Sequence, residues 1–157
     1  MKLALISIAG AMLATVATAG DDELPTELFL RCDVKDITSI VSNGKQDFHS
    51  DTEVKYYRLK DGIFQSTSGK IPLGTGCKLF NGEVVCIFSK TQTSKSAQFG
   101  PKVEKRKSSV TLIRATGEIR LNLRIESYDG ESIKGSPSFT MTSIMEGTCR
   151  TVGKPLF

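Results

Sequence analysis

Hydrophobic and polar residues alternate along most of the chain with a period of two, the rhythm of strands that bury one face. Leu28, Leu30, Cys32 and Val34 share one side of the first such run, and Phe29, Arg31 and Asp33 share the other. In the segment from Glu118 to Glu126, Ile119, Leu121, Leu123 and Ile125 point one way while Arg120, Asn122, Arg124 and Glu126 point the other. The turn dipeptides Asn43-Gly44, Asp61-Gly62, Asn81-Gly82, Thr116-Gly117 and Asp129-Gly130 punctuate these runs. The alternation predicts an all-β fold: an antiparallel meander of roughly eight to ten strands, closed as a small barrel or stacked as a two-sheet sandwich. Asp36 to Ser42 interrupts the rhythm and could hold a short helical turn.

Asn81-Gly82 is the most informative of these turns. Asn-Gly is the strongest short signal for a two-residue type I′ hairpin. It sets Phe80 against Glu83, Leu79 against Val84, Lys78 against Val85 and Cys77 against Cys86, close enough for a disulfide. Cys32 would then pair with Cys149, tying the first strand to the last, while the other two connectivities remain possible. A loop of that length is worth on the order of 4 to 5 kcal/mol in the chain-entropy model. A bridge from first strand to last favours a sheet that curls round on itself. By the same turn logic, Leu59 faces Phe64 and Tyr57 faces Ser66. A two-residue turn at Thr116-Gly117 would set Leu112 against Leu121 and Val110 against Leu123.

The N-terminus departs from the pattern. Met1-Lys2, an apolar stretch from Leu3 to Val16 and Ala17-Thr18-Ala19 have the layout of a cleavable secretory signal peptide, residues 1–19. Residues 20–26 read as a flexible lead-in, and 27–157 as a single β domain. The stretch is short for a bilayer span, so the expected product is soluble and periplasmic or secreted. An even number of cysteines, four, fits that oxidising destination. Their wide spacing argues against a zinc site, and no cofactor is expected.

Ser89 to Ser109 breaks the alternation with Ser, Thr, Gln and Lys, and reads as a long basic connection. Its Lys102, Lys105, Arg106 and Lys107 are candidate partner-binding residues: either a solvated loop, or an arm for an anionic envelope polymer. The formal net charge of +4, lowered by one when Lys2 is removed, is too small to suggest nucleic acid. Tyr56 and Tyr57 must point to opposite faces, one toward the core and one available to a partner. Arg120 and Arg124 could form a basic strip. Gly74-Thr75-Gly76 reads as a flexible entry to the Cys77 strand.

Catalytic chemistry finds little support. The single histidine, His49, lies in the polar stretch Asp47-Phe48-His49-Ser50-Asp51 and reads as an exposed strand-end residue. With no Trp and three Tyr, a sugar-binding groove lacks its usual aromatic platforms. The expected role is a non-enzymatic domain binding a protein or small molecule through a barrel mouth or protruding loop. An envelope interaction protein using the basic segment, and a small hydrolase, are the alternatives.

The segments Leu30-Arg31-Cys32-Asp33-Val34 and Leu112-Ile113-Arg114-Ala115-Thr116-Gly117-Glu118-Ile119 carry a resemblance, together with Gly147-Thr148-Cys149-Arg150 and the ending Pro155-Leu156-Phe157. With the leader, they resemble a group of small, uncharacterised exported β-proteins of alphaproteobacteria. The resemblance implies an exported β-fold and supplies no activity.

Overall fold

The computed structural model describes residues 23–69, 71–96 and 100–153, so the leader and the final Pro-Leu-Phe lie outside the described residues. Eight antiparallel strands form one sheet: β1 (Glu27–Ser42), β2 (Lys45–Lys60), β3 (Ile63–Ser66), β4 (Thr75–Phe80), β5 (Glu83–Ser96), β6 (Gly100–Ile113), β7 (Glu118–Asp129) and β8 (Phe139–Thr151). The strand order is β3-β2-β1-β8-β7-β6-β5-β4. Read as a circle, that is an up-and-down meander in which first and last strands pair and the seam falls between β3 and β4. Backbone hydrogen bonds of 2.8 and 3.0 Å between Phe64 and Gly74, and one of 3.0 Å from the Cys77 N–H to the Gly62 carbonyl, draw the seam together. The result is a nearly closed barrel, and no described residue is helical.

Three hairpins turn on two residues with positive φ: Asn43 and Gly44, Asp61 and Gly62, Asn81 and Gly82. Two successive positive φ angles are the type I′ geometry whose twist matches that of the strands. Phe80 to Lys78 pair with Glu83 to Val85 as the turn dictates. The register then slips at Gly76 (φ 57°), and Cys77 joins Cys86 with Cα atoms 4.1 Å apart. Cys32 lies directly opposite Cys149 and is bonded to it, Cα to Cα 4.0 Å, across 117 residues of chain. Bonds of this kind persist in oxidising compartments.

All four cysteines point inward and belong to the core, with Leu30, Val34, Leu59, Val110, Leu112, Ile119 and Leu121. Tyr57 is the inward tyrosine, stacked on Phe64 at 5.1 Å between ring centroids. Side chains fill this half of the barrel. The first and last strands meet closely at Gly147, opposite Val34: a methyl group there would collide with the Asp33 carbonyl and come within 2.7 Å of the Val34 Cα.

Four expectations are corrected. Ser89 to Ser109 is not a loop: β5 and β6 form a long hairpin in which Lys90 faces Arg106 and Thr93 faces Val103. The apolar rhythm stops there because the hairpin runs past the apolar core, while its Thr residues keep strand propensity. Asp36 to Ser42 continues β1 in register with both β2 and β8, so no helical turn forms. Leu112 faces Ile119, and Val110 faces Leu121, two residues from the expected pairing. The cause is a longer turn, closed by the Gly117 N–H on the Ile113 carbonyl, and an even slip leaves every side chain on its expected face. Gly74 is buried against Cys86 rather than being a flexible entry.

Gly147→Ala should destabilise the fold by about 2 kcal/mol or more, because the collision is with backbone that cannot swing away. Removing the Cys32–Cys149 pair should cost more than removing Cys77–Cys86, on the order of 5 against 3 kcal/mol, since the closed loop is far longer. Urea denaturation of the three variants checks both, and equal losses for the two cysteine pairs would contradict the loop-length argument.

Candidate functional site

The inward row of β1 changes character along the strand: Leu30, Cys32 and Val34 are buried, then Asp36 and Thr38 follow on the same face. Asp36 faces Asp51 across β2, a like-charge contact that needs a counter-charge. Lys55 supplies it, its Nζ 3.0 Å from the Asp36 Oδ2 and 2.7 Å from the Glu53 Oε1. Ser143, from the far side of β1, donates to the Asp36 Oδ1 at 2.7 Å, and Thr38 donates to the same oxygen at 3.1 Å. Beneath this cluster the Tyr57 hydroxyl meets the Met145 sulfur at 2.8 Å.

Burial pushes the Asp36 carboxyl up, but the hydrogen bonds from Ser143 and Lys55, the Lys55 charge and the Thr38 hydroxyl outweigh it and hold the pKa below the ordinary 3.8. Burial likewise pulls Lys55 down, and Glu53 with Asp36 more than restore it, above 10.5. Burial, with the nearby Asp36 and Glu53 charges, raises the Tyr57 phenol and keeps it neutral. The cluster is thus a fixed charge pair at the level where the barrel changes from apolar to polar.

Above that level one wall is missing. Only four of the sixteen residues of β2 pair with β3, and β4 reaches no further along β5 than Ile87. On this side Lys45 to Lys55 of β2 and Phe88 to Ser96 of β5 have no partner strand and flank a gap. The two-residue turns fix which backbone groups face it. Ser42 and Lys45 close the first hairpin, so the odd-numbered residues of β2 bond to β1, and Gln46, Phe48, Ser50, Thr52 and Val54 present N–H and C=O groups to the gap. The Thr67 N–H already uses the Tyr56 carbonyl in this way, at 3.0 Å. The side chains sort as strictly: Asp47, His49, Asp51, Glu53 and Lys55 lie on the inward side, and Phe48, 67% exposed, and Val54 on the outward side.

The residues singled out in the sequence are dispersed. Lys102, Lys105, Arg106 and Lys107 alternate between the two faces of β6, Lys105 facing Glu126 and Lys102 facing Asp129. They do not form a one-sided basic surface. The Arg106 Nε is buried without a hydrogen-bond partner, beside Lys90, Gln92 and Glu104. Tyr56 is half-buried on the outer face. His49 is exposed within β2, opposite Thr38, rather than at a strand end. Arg120 and Arg124 share the outer face of β7, paired with Glu146 and Glu126. Among the described residues no His, Cys, Asp and Glu cluster is placed to hold a metal ion. Asp36, Lys55, Glu53 and Ser143 were missed. The available signal was parity, since Asp36 continues the inward row of Leu30, Cys32 and Val34.

No family model matches the chain, and no curated protein does. Among solved structures, the crystal structure of ywiB protein from Bacillus subtilis matches at 19% identity and a TM-score of 0.34, covering 78% of this chain and 94% of that one.

Asp36 stabilises the fold while it is ionised. Because its folded pKa lies below the unfolded value, that contribution is complete above about pH 4 and is lost as pH falls through the folded pKa. Asp36→Asn should therefore cost about 1 to 2 kcal/mol at pH 7. The difference from the native chain should shrink between pH 5 and pH 2, as followed by urea midpoints across that range. A constant difference would mean that the charge is not what Asp36 contributes.

Proposed function

We propose that this chain is an exported, non-enzymatic binding domain that takes an extended segment of a partner protein onto the free edge of β2. One observation carries the reading: a sixteen-residue strand pairs along only four residues on one side, leaving a row of backbone donors and acceptors at a gap in the barrel wall. An added strand satisfies such a row directly, and alternate side chains give it specificity. Asp47 and Asp51 on the inward side favour Lys or Arg at matching positions of the incoming strand, while Phe48 and Val54 offer apolar contacts outside. Inward-pointing charges also discourage indiscriminate edge pairing, so the edge selects its partner. Export follows from the leader pattern of residues 1–19 and accords with two disulfides.

In the free, oxidised mature protein the amides of Gln46, Phe48, Ser50, Thr52 and Val54 should exchange with solvent quickly, while those of the intervening odd residues are protected by β1. A partner captured from periplasmic extract should slow the fast set. Ser50→Pro removes one gap-facing N–H without touching the ladder to β1, and should weaken capture about tenfold or more. Protection that appears elsewhere and leaves this set unchanged would rule the edge out as the binding surface.

A further inference from the structure

The outer wall carries a second feature, independent of the open edge. Outward residues of neighbouring strands line up in rungs, and one rung runs Ser89, Lys107, Arg124, Thr142 across β5 to β8. Lys107 and Arg124 are directly opposed, the one like-charged pair in the β6–β7 ladder. Like charges so placed repel unless something lies between them. Elsewhere on this wall the neighbouring cations are answered: Arg120 pairs with Glu146, and Lys105 faces Glu126. Glu126 also engages Arg124, but only through Nε and Nη2, and it is half-buried while Arg124 is exposed. Among the described residues Lys107 has no carboxylate within ion-pair distance.

This rung borders a depression of about 430 Å³ that no carboxylate lines. Ser89, Asn122 and Thr142 add hydroxyl and amide groups, and Ile87, 65% exposed, stands at one end. The adjacent rung, Ile87, Ser109, Asn122, Ile144, is apolar at both ends. A cationic rung beside an apolar-ended one, in a concavity of ligand size, matches a ligand with an anionic head and an apolar body.

We propose that this depression binds an amphiphilic anion, its carboxylate or phosphate head between Lys107 and Arg124 and its tail over Ile87. The head supplies the counter-charge that Lys107 lacks and meets the face of Arg124 that Glu126 leaves open, and the tail covers an isoleucine that otherwise faces water.

The test uses the oxidised mature chain, with backbone NMR shifts read against monomeric decyl phosphate, inorganic phosphate and, separately, vesicles of phosphatidylglycerol. Saturable shifts at Lys107, Arg124 and Ile87 with decyl phosphate are expected, weakened about tenfold by Lys107→Gln and several-fold by Ile87→Ser. Lys107→Gln relieves the repulsion, so this variant should fold at least as well as the native chain. Equal binding of inorganic phosphate would overturn the amphiphile assignment. Shifts that are absent, or indifferent to Lys107→Gln, would overturn the site. Response to vesicles as well as decyl phosphate supports the site and identifies a lipid headgroup as its source, whereas response to vesicles alone overturns it in favour of surface charge. None of these outcomes depends on the β2 edge.

Discussion

The architecture depends on one long-range contact, the pairing of the first strand with the last. Every other ladder joins strands adjacent in sequence, so each could form from a hairpin or a short connection. Pairing β1 with β8 must instead bring together positions separated by almost the whole domain, at the full cost of closing that loop. Two features on adjacent inward rungs answer the cost. Cys32 and Cys149 fix the register covalently, and Gly147 lets the two backbones approach opposite Val34. Once this ladder is set, β2 and β7 flank it and the sheet has no course but to curl. The seam between β3 and β4 then needs only a few backbone bonds.

Strand length grades the interior from apolar to polar. β3 and β4 are short, so all eight strands surround only one end of the barrel, and there the inward rows are Leu, Val, Ile, Cys and Phe. Where β1, β2, β5 and β6 run on without them, the interior meets water, and the same rows become Asp, Thr, Lys, Glu and Gln. Asp36 and Lys55 stand at the crossover, where a lone charge would be costly and a paired one is tolerated.

What could be read in the sequence follows from this gradient. Where a strand borders the filled half, alternation exposes its faces, and the Asn-Gly turn fixed the Cys77–Cys86 register residue by residue. Where strands run past the core, periodicity loses its cause. The hairpin of β5 and β6 therefore resembled a loop, although its threonines and its facing charges on β7 are those of a strand. The β6–β7 register slipped by two because turn length is set by Gly117 and the chain around it, whereas side-chain parity survives any even slip. The Asp36 cluster draws Ser143 from 107 residues away, and no local pattern could specify that partner.

The same gradient separates the packed core from the outer surfaces of the barrel. At the end that all eight strands close, two disulfides, Tyr57 and Phe64 pack the interior. The barrel geometry itself also creates two kinds of surface: backbone edges where two strands stop short, and outward rungs where side chains of four strands align. These surfaces differ in kind. An edge offers a periodic row of donors and acceptors, suited to a peptide of matching period. A rung crosses the strands and sets two charges at the spacing of neighbouring strands, suited to one compact anionic group. A single short-seamed barrel can therefore present both kinds of surface without either disturbing the core that keeps them in place.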